Sequence, residues 1–239
     1  MVSPNSKLDL VAVVPVFNEE ANISSVLTEW ILTFKALGLK FILLVVDDGS
    51  NDGTPDIVAR LAGEYPGEVI HLRKFNSGHG RSCRVGYDKA ISMETGWVLQ
   101  IDSDGQCDPA FFPRLWAARQ EMEAVFGRRT SRGDGLARII LSKGCQAATR
   151  WVTGAKVIDP NVPYRLIRRE VLQAALTRVP ADFNIQNVAL SVVLARTPGL
   201  KIARIPIHFR DRQGGTNSIN LRKVLLMGAE MLKALKTIQ

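Results

Sequence analysis

Short apolar runs alternate with stretches of helical periodicity through the first half of the chain. Leu10 to Val16 is an unbroken apolar run of strand length, the pattern of a strand buried on both faces. Ile23, Val26, Leu27, Trp30, Ile31, Phe34 and Leu37 then recur at the i, i+3, i+4, i+7 spacing of one helix face, and Gly38 is placed to end that helix. The runs FILLVV (41–46), EVIHL (68–72) and WVLQI (97–101) predict three more strands. Helices are expected from Thr54 and Pro55, as N-cap and first residue, and over 80–93. A β-α-β-α-β-α-β order predicts a mostly parallel sheet with helices on both faces and ligands bound beyond the carboxyl ends of the strands.

The second half is less regular. A strand is expected near 124–127 and another at 201–207, with helical patterns near 136–151 and 169–178. From Ser218 onward, Leu221, Val224, Leu225, Gly228, Leu232 and Leu235 form one helix face, with Arg222, Lys223, Lys233 and Lys236 supplying charge. The expected division is a catalytic domain over 1–217 and an amphipathic helix over 218–239, either docked on the domain or lying on a membrane surface.

Charge narrows the choice of partners. Among 239 residues, 31 Lys and Arg stand against 23 Asp and Glu, a formal charge of +8 that favours an anionic partner. No helix-turn-helix, zinc or RNA-binding pattern accompanies it, so nucleic acid is not expected. Cys83, Cys107 and Cys145 are far apart and lack CxxC spacing, which suggests neither a disulfide framework nor a zinc site and fits a reducing cytosol. The N-terminal apolar run breaks at Pro15 without a signal-peptide cleavage pattern, and no stretch reaches the roughly 18 apolar residues of a membrane span. The expected location is the cytoplasm, including the cytoplasmic face of a membrane.

The polar segments FNEE, DDGS, FNSGHG and DSDGQ each follow one of the first four strands, so the topology places them on one sheet edge. Asp102 and Asp104, at i and i+2 beyond the fourth strand, can present oxygens to one hard cation that also holds a diphosphate. A solvated Asx turn is the competing account of such a pair taken alone. FNSGHG lacks the full P-loop and dinucleotide fingerprints, but Gly78 and Gly80 let backbone approach a ligand, with helix-start amides facing an anion. His79 is either a loop hydrogen-bonder or a donor contact. Asp47 and Asp48 suit a ribose or a nucleobase N–H, or a turn. The histidines at 71, 79 and 208 have no metal-ligand spacing and no obvious Ser or Cys partner, so a catalytic triad is not expected.

VVPVFNEE, VVDDGSNDGT, NSGHGRSCRVGY, LQIDSDGQCDP, GRR (127–129), DPNVPYR (159–165) and RQGGTNS (212–218) occur in the order found in glycosyltransferase family 2, and the chain most resembles its polyprenyl-phosphate group, which includes dolichol-phosphate mannose synthases. The resemblance, over roughly residues 9 to 222, implies a GT-A nucleotide-diphospho-sugar transferase fold of α/β class, a UDP- or GDP-sugar donor, Mg²⁺ or Mn²⁺, and inversion at the sugar carbon. It assigns Pro15, Phe17, Asn18, Glu19 and Asp48 to the donor, with Phe17 packing near the base. Asp102 and Asp104 bind metal and diphosphate, assisted by Gln106.

For the acceptor, the resemblance implies a polyprenyl phosphate gripped by Arg129, Arg138, Arg165 and Arg212, whose guanidinium groups suit bidentate phosphate contacts. An ionised phosphate needs no base, whereas a saccharide hydroxyl does, and Asp182 is the candidate base for that alternative, transfer to a glycan in cell-surface polysaccharide assembly. Two segments depart from the group's pattern: Asn217 and Ser218 replace Ser and Lys, and Val162-Pro163 replaces a small pair. Further partners are an anionic membrane surface or a membrane protein. An inactive nucleotide-sugar-binding scaffold is the reading from another class, opposed by the intact Asp102 and Asp104.

Overall fold

A computed structural model describes residues 8–130, 159–183 and 185–210. Four strands alternate with three helices: β1 (Leu8–Val16), α1 (Ile23–Ala36), β2 (Phe41–Asp47), α2 (Thr54–Glu64), β3 (Val69–Arg73), α3 (His79–Ser92) and β4 (Thr95–Gln100). A short 3₁₀ turn and α4 (Phe112–Ala118) follow, then β5 (Ala124–Arg129), β6 (Arg165–Arg168), α5 (Arg169–Leu176), α6 (Gln186–Arg196) and β7 (Ile202–Ile207). The seven strands form one sheet in the order β3-β2-β1-β4-β6-β5-β7. β6 runs antiparallel to both its neighbours, while the remaining pairings are parallel.

The first-half elements match the pattern of the sequence, with small end shifts. Thr54 differs in role: Gly53 precedes the helix, Asp52 Oδ1 accepts from the Thr54 amide, and the Thr54 hydroxyl accepts from the amide of Glu19. Three elements were not predicted from the sequence: α4, β6 and α6. β6 is four residues, RLIR, bounded by arginines. α6 is buried from Gln186 through Leu194, so it carries no polar stripe to reveal helical periodicity. The helix expected over 136–151 and the one from Ser218 lie outside the described residues.

Residues 10–14 of β1 and 43–46 of β2 are fully buried. On the face of α1, Trp30 meets Phe112 and Tyr164 edge-on, with ring centroids 5.8 and 5.6 Å apart. On the other face α3 lies close to the sheet at Gly86, where an added Cβ would stand 2.2 Å from Val13 Cγ1. That close approach requires glycine, and it brings the start of α3 down to the strand ends.

β1 and β4 pair from Leu8↔Thr95 to Val13↔Gln100. Pro15, which has no N–H to donate, lies beyond the last of these pairs, so no β1–β4 rung is lost. The chain leaves β1 for β2 on one side and enters β4 from α3 on the other. This is the switch point of an open α/β sheet, where a crevice opens between strand ends.

Candidate active site

A cleft of about 390 Å³ occupies that switch point, lined by Pro15, Phe17 and Glu19 after β1, Asp48 after β2, Asn76, Gly78 and His79 around the start of α3, and Asp102 and Asp104 after β4. All four polar segments predicted to meet there do so.

Their loops are stitched together by short polar side chains. The Asn18 amide donates to Ser50 Oγ at 3.0 Å, and the Asn51 amide to Asn18 Oδ1 at 2.9 Å. Asn18 adopts a φ of 52°, a left-handed conformation that asparagine tolerates well. Its side chain ties the loop after β1 to the loop after β2. The Glu19 amide adds a 2.9 Å bond to Thr54 Oγ1.

Asp48 organises the third loop. Its carboxylate accepts from the amides of Ser77 and Gly78, each at 2.8 Å, and from Lys74 Nζ. Burial alone would raise its pKa, but Lys74 and the two amides outweigh that and hold it below the ordinary aspartate value. Its neighbour Asp47 points inward: fully buried, it accepts from the Ser50 amide at 2.8 Å and lies 3.4 Å from His71 Nε2. Only Asp48 of the pair lines the cleft.

Asp102 and Asp104 share the cleft wall. Asp104 Oδ1 accepts from the Gln106 amide at 3.1 Å, and Gly105 has a φ of 77°. The Asx turn is therefore present, and it fixes the loop that carries both carboxylates. Asp102 Oδ1 accepts from Gln100 Nε2 at 3.0 Å and lies 3.7 Å from His79 Nε2. The Cys83 sulfur, 3.4 Å from the same nitrogen, together with the carboxylates of Asp102 and Asp48, shifts His79 upward in pKa against the opposing effect of burial. His79 stands beside the amides that open α3. Two carboxylates on one wall suit a hard divalent cation by donor chemistry. Among the described residues no group of three or more acidic, His or Cys side chains is arranged to hold an ion alone. Diphosphate oxygens would complete its shell.

Gln106 is not among the residues that line the cleft. Its side chain turns to the carbonyl of Arg210 at 3.5 Å, and the Arg210 amide returns a bond to the Gln106 carbonyl at 3.1 Å.

Residues 11–176 match the family described as Glycosyl transferase family 2. The chain belongs to that family. It is 27% identical over 227 residues to the undecaprenyl-phosphate 4-deoxy-4-formamido-L-arabinose transferase of Pectobacterium atrosepticum, covering 94% of this chain and 67% of the relative. The protein of the same name from Proteus mirabilis is 28% identical over 239 residues, 99% of this chain and 71% of the relative. Among solved structures, glucosyl-3-phosphoglycerate synthase from Mycobacterium tuberculosis, in complex with Mn²⁺, UDP-glucose and glycerol 3-phosphate, superposes with a TM-score of 0.66 at 21% identity, over 96% of this chain and 79% of that one. Mannosyl-3-phosphoglycerate synthase from Rubrobacter xylanophilus gives 0.64 at 17% identity, over 95% and 72%. These confirm a GT-A glycosyltransferase fold.

The arginines divide. Arg138 and Arg212 lie outside the described residues. Arg129, at the end of β5, pairs with Asp159 at 3.3 Å and stacks over Phe209, 4.6 Å from its ring centre. Arg165 corrects the expectation of a phosphate contact. It is fully buried, and its guanidinium donates to the carbonyls of Pro160, Val162 and Asn187 and to Ser191 Oγ. No face of it reaches the cleft, because its donors hold the 160–162 turn and the first turn of α6. Asp182 is exposed, outside the cleft lining, and its carbonyl accepts from Arg81 Nε at 3.4 Å.

Some participants had no motif to mark them. Lys74 anchors Asp48, and Arg210 ties the Asp102–Asp108 loop to α1 through Glu29 at 2.6 Å and Asp108 at 2.8 Å. Gln100, a polar residue in the apolar run WVLQI, was the one visible signal of what lies beneath Asp102.

Proposed function

We propose that this glycosyltransferase moves a sugar from a nucleotide-diphospho-sugar to a polyprenyl phosphate, with inversion at the anomeric carbon. The observation that carries the donor half is the convergence of Asp102, Asp104, Asp48, Glu19 and the start of α3 on one cleft at the switch point. The names of the relatives, which are transferases to undecaprenyl phosphate, support the acceptor half.

Phe17, 44% exposed, offers a face to the base, while Glu19 and Asp48 meet the nucleoside. The amides opening α3 and the His79 side chain face the diphosphate. Asp102 and Asp104 hold Mg²⁺ or Mn²⁺, which when bound neutralises charge on the departing nucleoside diphosphate. Arg129, Arg138 and Arg212 orient the acceptor phosphate, whose oxygen is already ionised near neutral pH and attacks from the face opposite the leaving group. Asp182 is not needed as a base for such an acceptor. The net charge of +8 supports approach to an anionic membrane surface, directly or beside a membrane protein. Among the described residues no helix is long and apolar enough to cross a membrane.

The test is thermal stabilisation by UDP and by GDP, each with Mn²⁺ or EDTA, followed by transfer from the matching nucleotide-sugar to undecaprenyl phosphate. Metal-dependent stabilisation by one nucleotide and transfer to the lipid are expected. Transfer only to a saccharide hydroxyl, lost in Asp182→Asn, would replace the acceptor. No nucleotide binding at millimolar concentration would favour a scaffold.

A further inference from the structure

Beneath the cleft wall a single file of buried polar groups ends on Asp102. Tyr87 of α3, 1% exposed, donates its hydroxyl to Asn187 Oδ1 at 2.9 Å. Asn187, the second residue of α6 and 3% exposed, donates Nδ2 to Gln100 Oε1 at 3.0 Å. Gln100, fully buried on β4, donates Nε2 to Asp102 Oδ1 at 3.0 Å. The backbone carbonyl of Asn187 is in turn held by Arg165 at 2.8 Å.

The direction of this chain follows from its end. A carboxylate only accepts, so Gln100 must turn its NH₂ to Asp102 and its oxygen to Asn187. Asn187 must then turn its NH₂ to Gln100 and its oxygen to Tyr87. Reversing either amide would set N–H against N–H or leave a buried acceptor unpaired, which is costly in a buried site. Burial pushes the Tyr87 phenol well above its ordinary pKa, so the hydroxyl keeps the proton it donates. An apolar trio would fill the same space without the desolvation these amides suffer.

We propose that Gln100, Asn187 and Tyr87 are positioning residues that fix the Asp102 carboxylate, with Oδ1 committed to Gln100 and Oδ2 left to meet a divalent cation bound with the donor diphosphate. The network makes α3 and α6 part of the cation site, although neither Asn187 nor Tyr87 lines the cleft. This rests on the donor-site reading above. It goes beyond that reading in giving a binding role to residues that touch neither metal nor nucleotide.

The probe is Mn²⁺, titrated by electron paramagnetic resonance into full-length protein saturated with UDP or GDP, whichever stabilises the wild type. Unliganded melting temperature is followed in parallel. Gln100→Leu and Asn187→Leu should each weaken Mn²⁺ about tenfold, as loss of groups that orient metal ligands does elsewhere. Tyr87→Phe should weaken it less. The double variant Gln100→Leu/Asn187→Leu should bind Mn²⁺ no worse than Gln100→Leu alone, because Asn187 acts only through Gln100. Unchanged Mn²⁺ affinity in folded Asn187→Leu and Tyr87→Phe would overturn the proposal, as would additive losses in the double variant. Should the leucine variants not fold, Tyr87→Phe and Asn187→Ser carry the same comparison. A wild type that binds no Mn²⁺ with either nucleotide would overturn the donor-site reading itself, a distinct result.

Discussion

The two sides of the cleft are held by different chemistry. On the side proposed for the donor, loops after β1, β2 and β3 are joined by serine, threonine, asparagine and aspartate side chains that bond backbone amides across the gap between loops. Toward β5 and β6, where the acceptor is proposed to bind, arginines do the joining: Arg129 to Asp159, Arg210 to Glu29 and Asp108, and Arg165 to three carbonyls and a hydroxyl. A short polar side chain at a turn has few reachable partners, so its place in the chain nearly defines its role. An arginine reaches far and offers five donors, so it can serve a ligand or the fold, and only its surroundings decide which.

The sharpest test of this contrast is on the donor side. Asp104→Asn keeps the Oδ1 that accepts from Gln106 but loses the charge a cation needs. Transfer should fall at least about 100-fold, since a catalytic metal contributes several kcal/mol, while the melting temperature stays within about 2 °C of wild type. Steady-state rates and a melting curve check both halves.

Next is Arg165→Met, which should act on stability. It removes the buried donor of the Val162 carbonyl and leaves the Pro160 and Asn187 carbonyls to share the Ser191 hydroxyl, at a cost of about 1–3 kcal/mol. Urea unfolding measures this. A stable variant with a selectively raised acceptor KM would return Arg165 to the acceptor pocket. Arg138→Ala should behave in the opposite way, raising acceptor KM about tenfold with donor KM and stability unchanged.

The smallest effect concerns pH. The folded-state pKa of Asp48 is depressed, so its contribution is fully present above the unfolded value and is lost as pH falls through the folded one. Asp48→Asn should therefore flatten the decline of melting temperature below about pH 4 relative to wild type. Parallel acid limbs in the two proteins would show that the carboxylate contributes nothing through Lys74 and the loop amides.

The legible parts of the site were those set by local order. DSDGQ followed a strand, FNEE and DDGS followed two others, and the parallel topology sent all of them to one edge. The strand order, and with it the crevice beside Pro15, was not legible, because the same alternation fits more than one doubly wound order. β6 and α6 were illegible for opposite reasons: RLIR is too short and too charged to read as a strand, and QNVALSVVL is buried on every side, so no period distinguishes it from a strand or a core segment.

Local patterning thus determined the parallel half of the sheet, the shared edge and the two carboxylates, because hydrophobic period and turn chemistry act over a few residues. Tertiary structure alone decided that Arg165 serves the core and that Gln106 turns to Arg210. It also decided that an amide on α6, 87 residues along the chain, meets Gln100. These depend on which groups of distant segments share one buried volume, where every donor must find an acceptor, and that condition has no counterpart in the order of residues along the chain.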